Sequence, residues 1–252
     1  HTGDWQLGRP FTRFPDELAG RLRAARLGAV ERVAAAARAH GAGHVLVAGD
    51  VWDHETPSEA TLLQSLDLMG RAGDLVWWLL PGNHDPARPD GLWRRVASLG
   101  PPANVRLCVE PEPLAMADGA RLLPAPLGRR DAAGDPTAVF DAMATPAGEL
   151  RIGLAHGGVV DFAEAGEAAG VIAPDRARLS GLAYLALGDW HGRLEIDART
   201  HYAGTPEPDR FAGNDPGWCL AVTVAGADAP PGVEAVRTAE FRSVLFHGER
   251  TQ

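Results

Sequence analysis

The 252 residues carry a formal net charge of −9, with 45% hydrophobic and 23% charged residues, the balance of a folded chain rather than a disordered or fibrous one. No apolar run approaches a membrane span and no basic-flanked leader opens the chain. The only cysteines, Cys108 and Cys219, exclude a disulfide framework and make the cytoplasm the expected compartment. The acidic balance argues against broad attraction to nucleic acid or anionic membrane, and it suits a site where carboxylates hold cations.

The chain starts at His1 rather than Met, so residues before it are expected to be missing. Residues 16–40 place Leu18, Leu22, Ala25, Ala29 and Val33 at helical spacing, and HVLVAG (44–49) reads as a strand stopped by Gly. Thr56-Pro57-Ser58-Glu59 predicts a helix start with Thr56 as cap and Glu59 closing a capping box, running to about Gly70. LVWWLLPG (75–82) predicts a strand buried on both faces. Further strands are predicted at 104–109, 120–125, 150–156, 183–188, 200–204, 218–224 and, with looser alternation, 232–241. Helix and strand alternate in the first half and strands dominate the second. That order implies an α/β sandwich with two sheets, and no linker divides residues 1–252 into more than one domain.

The predicted strands share an ending. HTGDWQ offers Asp4 and Gln6; strand 44–49 runs into Asp50, followed by Asp53; strand 75–80 into Asn83, His84 and Asp85; strand 150–155 into His156; strand 183–188 into Asp189 and His191. If the chain stays extended there, Asp189 and His191 point to one side and can converge on one object. Taken singly, each of these residues is more simply a turn, cap or hydrogen-bonded side chain. Five such endings, all with oxygen or nitrogen donors and no thiolate, describe a site for hard or borderline divalent ions beyond the carboxyl ends of strands. His40, His44, His54, His201 and His247 lack that context, and Trp77, Trp78 and Trp93 are expected in the core or a subunit contact.

The blocks D-W-Q, G-D-V-W-D, G-N-H-D, A-H-G and G-D-W-H resemble the ordered motifs of the calcineurin-like metallophosphoesterases. HTGDWQLGR, GDVWDHETPS, LPGNHD and the loop YAGTPEPDRF (202–211) are most similar to its DNA-repair exonuclease branch, which includes the nuclease subunit of bacterial SbcCD. The resemblance implies a four-layer α/β/β/α sandwich with two mixed sheets. It implies one metal on Asp4, Gln6, Asp50 and His191, and another on Asp50, Asn83, His156 and Asp189. Gln6 and Asp189 stand where the family pattern has histidines. The donor set is thereby richer in oxygen, which favours Mn²⁺, with Mg²⁺ or Fe²⁺ as alternatives, over Zn²⁺.

By the same resemblance, a hydroxide activated by two metals attacks the phosphoester in line. His84 protonates the leaving oxygen, and Asp53 orients His84. The leading functional expectation is a DNA exonuclease-like phosphodiesterase with an SMC-like ATPase partner. The alternatives are a hydrolase of nucleotides or other small phosphoesters, favoured by the acidic balance, and a binding module with a weakened site, raised by Gln6. Neither a DNA-contacting cap nor a partner-binding tail is legible; in a whole protein that would favour the small-substrate reading.

Overall fold

The computed structural model describes residues 1–117, 119–129, 134–159, 171–209 and 214–242. His247, and Arg210 and Phe211 of the 202–211 loop, lie outside the described residues. In chain order the elements are α1 (Asp16–Ala39), β1 (His44–Val47), α2 (Glu59–Arg71), β2 (Val76–Leu79), α3 (Leu92–Ser98), β3 (Val105–Leu107), β4 (Leu114–Ala115), β5 (Ala120–Ala125) and a 3-10 helix (Pro136–Ala142). They continue with β6 (Leu150–His156), α4 (Arg176–Leu179), β7 (Tyr184–Gly188), β8 (Leu194–Asp197), β9 (Thr200–Tyr202), β10 (Trp218–Thr223) and β11 (Gly232–Arg237).

One sheet is the parallel set β1-β2-β3, a second is β4-β5-β6-β7-β9-β8 with antiparallel edges, and β10-β11 form an antiparallel ribbon. The first two residues join the ribbon to the first sheet. His1 exchanges backbone hydrogen bonds with Leu220 at 2.8 Å in both directions. Thr2 bridges Val47 in parallel, donating to Leu46 O and accepting from Ala48 N. The ribbon and the parallel strands thereby act as one mixed sheet facing the other.

The two-residue period of the strands sorts their side chains into layers. Val45, Val47, Trp77 and Leu79 pack under α1, α2 and α3 with Val33, Leu62, Met69 and Trp93. Their neighbours Leu46, Ala48, Trp78 and Leu80 face the other way, onto Leu122, Ile152, Leu154 and Ala186 of the second sheet. Leu123, Ala155, Leu185 and Leu187 then cover the outer face with Phe140 and Ala177. This is the α/β/β/α order. Each fully buried leucine in it contributes roughly 2 kcal/mol, and Trp77, Trp78 and Trp93 are core residues as expected.

Some expected boundaries move. The cap of α2 is Ser58, whose Oγ accepts from Thr61 N at 3.1 Å, while Thr56 N donates to His54 Nδ1. Pro57 therefore precedes the cap instead of following it. The short elements β4, β8, α3, α4 and the 3-10 helix escaped the sequence reading because none spans enough turns or alternations to show a period. On α1, Ala25, Ala29 and Val33 are buried as expected, but Leu18 and Leu22 are only half-buried and line a surface cleft.

Candidate metal centre

Parallel pairing brings strand ends into line. Val47 pairs with Leu79 and His156 with Gly188, so the segments that follow β1, β2, β6 and β7 emerge on one edge of the sandwich. The sheets touch there: His156 Nδ1 donates to Ala48 O of the opposite sheet at 2.9 Å. Donor atoms of Asp4, Asp50 and His156 lie within 4.8 Å of one another, all buried.

The backbone is bent to make this possible. Asp4, Gln6, Asp50 and Asp189 have φ of 52°, 44°, 53° and 104°, in the left-handed region that costs a non-glycine residue about 1–3 kcal/mol. Asp189 and His191 do converge on the centre, but through this turn after Gly188 rather than as i and i+2 of an extended strand. Gly82 has its own reason: a Cβ there would meet Asp50 Oδ1 at 2.2 Å and Asp50 N at 2.5 Å.

Two lobes flank Asp50. On one side His156 Nε2 stands 3.6 Å from Asp50 Oδ1 and 3.8 Å from Asp189 Oδ1. His156 Nε2, and Asn83 Oδ1 in the segment after β2, are buried without a hydrogen-bond partner. On the other side His191 Nε2 lies 3.8 Å from Asp4 Oδ1, and Asp4 also accepts from Asp189 N at 3.1 Å. Burial raises the Asp4 carboxyl to about 6, despite His191 and His156, with Asp50 and Asp189 adding to the rise. Burial opposes charge on His156 too, yet Asp50, Asp4 and Asp189 hold it at about 9. An orphaned amide oxygen, crowded carboxylates and imidazole nitrogens turned inward are what a divalent cation satisfies, so the residues present fit a metal.

The imidazoles share one anchoring scheme. His156, His191 and His84 each use Nδ1 outward, on Ala48 O, on Asp209 and on Asp53 O respectively, leaving Nε2 toward the cluster. His191 Nδ1 makes a short contact with the Asp209 carboxylate, and although burial opposes its charge, that bond and Asp4 raise its pKa. Asp209 belongs to none of the strand endings legible in the sequence. Its only signal was a position in the loop after β9. Asp85, at the ending of the second strand, accepts from Gly82 N at 2.7 Å and Trp52 N at 3.1 Å, tying the β1 and β2 endings together. Burial, then Asp50, pushes its carboxyl well above the usual range.

Two expected roles are placed differently. His84 Nδ1 donates to the main-chain carbonyl of Asp53 at 2.7 Å, while the Asp53 carboxylate lies 3.6 Å from Arg9. Gln6 turns its Oε1 to Arg9 in a short contact and its Nε2 to Asp50 Oδ2 at 3.5 Å. A guanidinium only donates, so the amide oxygen belongs to Arg9 and the NH₂ faces the carboxylate. Placed this way, Gln6 presents no oxygen to the centre. Among the other described histidines, His40 bonds Ala36 O, His54 meets Thr56, His44 meets Trp78 and His201 stacks on Tyr184; none joins the centre.

Beside the centre lies a cleft of about 630 Å³ whose inner wall includes Asp53 and Asp209. Its outer wall is the loop before α1 and the residues Phe241 and Arg242.

A sandwich of this order around a buried carboxylate–imidazole cluster defines a class of metal-site proteins. The family profile of calcineurin-like phosphoesterases matches residues 1–174, and the chain belongs to that family, whose chemistry is metal-dependent hydrolysis of phosphoesters. The crystal structure of TT1561 of Thermus thermophilus is similar in fold at 14% identity and a TM-score of 0.53, covering 85% of this chain and 94% of that one. A second solved chain, 11% identical, has a TM-score of 0.46 over 70% of this chain and 85% of its own. None of the curated proteins matches the chain in sequence.

Proposed function

We propose that the protein is a phosphodiesterase that trims DNA ends, an exonuclease holding two divalent ions, with Mn²⁺ preferred, and working with an SMC-like ATPase. The observation that carries the hydrolytic reading is His84. Its side chain is 28% exposed beside a buried cluster, its Nδ1 is fixed on Asp53 O, and its Nε2 stands 3.9 Å from Asp50 Oδ2. Asp4, Asp50, Asn83, His156, Asp189 and His191 would hold the ions, four oxygen donors against two imidazoles, which supports Mn²⁺ or Mg²⁺ over Zn²⁺. When bound, the ions supply positive charge that polarises the phosphoester and eases deprotonation of water. His84 Nε2 hands a proton to the leaving oxygen while Nδ1 keeps its own on Asp53 O. The His84 main-chain N–H, which reaches Asp50 Oδ1 at 2.9 Å, keeps Asp50 in place as charge redistributes.

The DNA assignment is supported by the sequence resemblance of residues 1–9, 49–58, 80–85 and 202–211 to the repair branch. A second reading, hydrolysis of small nucleotides, is favoured by the net charge of −9 and by the limited volume of the cleft, about 630 Å³. End-labelled single- and double-stranded DNA and bis-p-nitrophenyl phosphate, incubated with the Mn²⁺-loaded protein, decide between them. Release of mononucleotides from one end is expected. Hydrolysis of the small diester with DNA left intact would transfer the protein to the second reading, and no hydrolysis of either, with ions bound, to a binding module.

A further inference from the structure

The cleft beside the centre has a chemistry of its own. Phe14 is 45% exposed, one of three large hydrophobic side chains so exposed among the described residues. Its ring lies 6.4 Å from that of Phe11 at 51°, in a cleft that the half-buried Leu18 and Leu22 also line. An apolar helix stripe that faces a cleft instead of the core needs another reason for its leucines. At the rim, Arg13 and Arg242 are exposed and have no acidic partner among the described residues, whereas Arg9 is committed to Gln6 and Asp53. Aromatic plates next to uncommitted guanidiniums are complementary to a nucleobase followed by a phosphate.

Position and size narrow the occupant. Asp53 and Asp209 belong to both cleft and centre, so a strand with one phosphate at the centre directs its neighbouring nucleoside into the cleft. About 630 Å³ lies within the range of small-ligand pockets, and a stacked duplex does not enter such a space. With an overall charge of −9, long-range attraction to DNA is weak and capture depends on these local contacts.

We propose that this cleft is a subsite for the unpaired, phosphorylated terminal nucleotide of the substrate strand, its base stacked on Phe14 with Phe11, which lies under Arg9 and Arg26, at its edge, and its terminal phosphate held by Arg13 and Arg242. The proposal rests on the DNA reading above and adds that the enzyme takes single-stranded or frayed ends, since a paired end must first be unstacked.

The test uses the Mn²⁺-loaded full chain and a single-stranded oligonucleotide ending in 2-aminopurine that bears a terminal phosphate, with a phosphorothioate at the terminal linkage. Stacking quenches the fluorescence. Phe14→Ala should weaken binding by about 5- to 150-fold, the span of one base–aromatic stack, and Phe14→Trp should keep it. Arg13→Ala should flatten the salt dependence. In hydrolysis of unmodified strands, the wild type should prefer a base-bearing end to an abasic end, and Phe14→Ala should bring that ratio toward one. Quenching that ignores Phe14→Ala, or equal rates on base-bearing and abasic ends, overturns the subsite while leaving a nuclease. Quenching that depends on Phe14 without hydrolysis of unmodified DNA keeps the subsite and removes the nuclease reading.

Discussion

Loading the centre with a cation must expel protons, and the structure sets how many. His156 is held at about 9 by Asp50, Asp4 and Asp189 against the cost of burial, so at neutral pH its Nε2 carries a proton where a metal would bind. A metal ligand must be neutral imidazole. At pH 7 the metal therefore competes with a proton held two units more tightly than the solution offers, a factor of about 100, or about 3 kcal/mol. Apparent Mn²⁺ affinity should rise close to tenfold per pH unit up to about 9. It should fall more steeply below about 6, where the Asp4 carboxyl also takes up its proton. Without metal the sign for stability is the opposite for His156. Its folded-state pKa is raised, so its contribution is complete below the ordinary 6.5 and is lost as pH climbs through about 9. Calorimetric titration of Mn²⁺ into EDTA-stripped protein at pH 7.5, in two buffers of different ionisation enthalpy, counts the protons. About one should leave from His156 and a further fraction from His191, whose pKa is also raised. A proton count of zero with pH-independent affinity would refute this account of the centre.

Gly82→Ala should drive a methyl into Asp50, costing roughly 1–3 kcal/mol in a thermal melt and most of the bound metal; wild-type Mn²⁺ affinity would show that Asp50 is not fixed by that contact. Asp209→Asn should lower metal affinity about 10- to 100-fold through His191, with little change in fold, as read by metal analysis and circular dichroism. His84→Ala should leave metal content intact and reduce turnover about 10²- to 10⁴-fold, less for esters with good leaving groups; an equal loss on p-nitrophenyl and alkyl esters contradicts proton transfer. Asp189→Asn should weaken the ion beside His156, and unchanged metal occupancy would return Asp189 to a purely structural role.

What the sequence made legible was whatever repeats locally. The helix over 16–39 and the buried strands around 44–47 and 76–79 follow from apolar spacing, and the strand-end donors follow from their position after those runs. The orientation of each donor was not legible, because it depends on contacts between segments distant in the chain. His156 is aimed by Ala48 O from the other sheet, and His191 by Asp209 from a loop. The displaced cap at Ser58 shows the same limit at short range, since Thr56 and Ser58 are equally good caps until His54 engages Thr56. Nor did periodicity say that Leu18 and Leu22 would leave the core stripe, because helical spacing fixes a face and not what lies opposite it.

The two positions that depart from the family pattern are linked by charge. Exchanging imidazole for carboxylate at Asp189 adds a negative charge beside His156, and the amide at Gln6 adds none. The result is a centre in which Asp4, Asp50 and Asp189 crowd together. Arg9 returns positive charge at the rim, but only because Gln6 accepts from it and Asp53 lies 3.6 Å away. A histidine at position 6 with its nitrogen turned to the metal could not also receive that guanidinium. Gln6 thus turns its one acceptor oxygen to Arg9, and Arg9 begins the loop that carries Phe11, Arg13 and Phe14. The side chain that offers no oxygen to the centre is the one that anchors the outer wall of the cleft beside it. A Gln6→His variant should therefore gain metal affinity in the His191 lobe while loosening Arg9, which calorimetry of Mn²⁺ binding and 2-aminopurine quenching read separately; a gain in both would break the link.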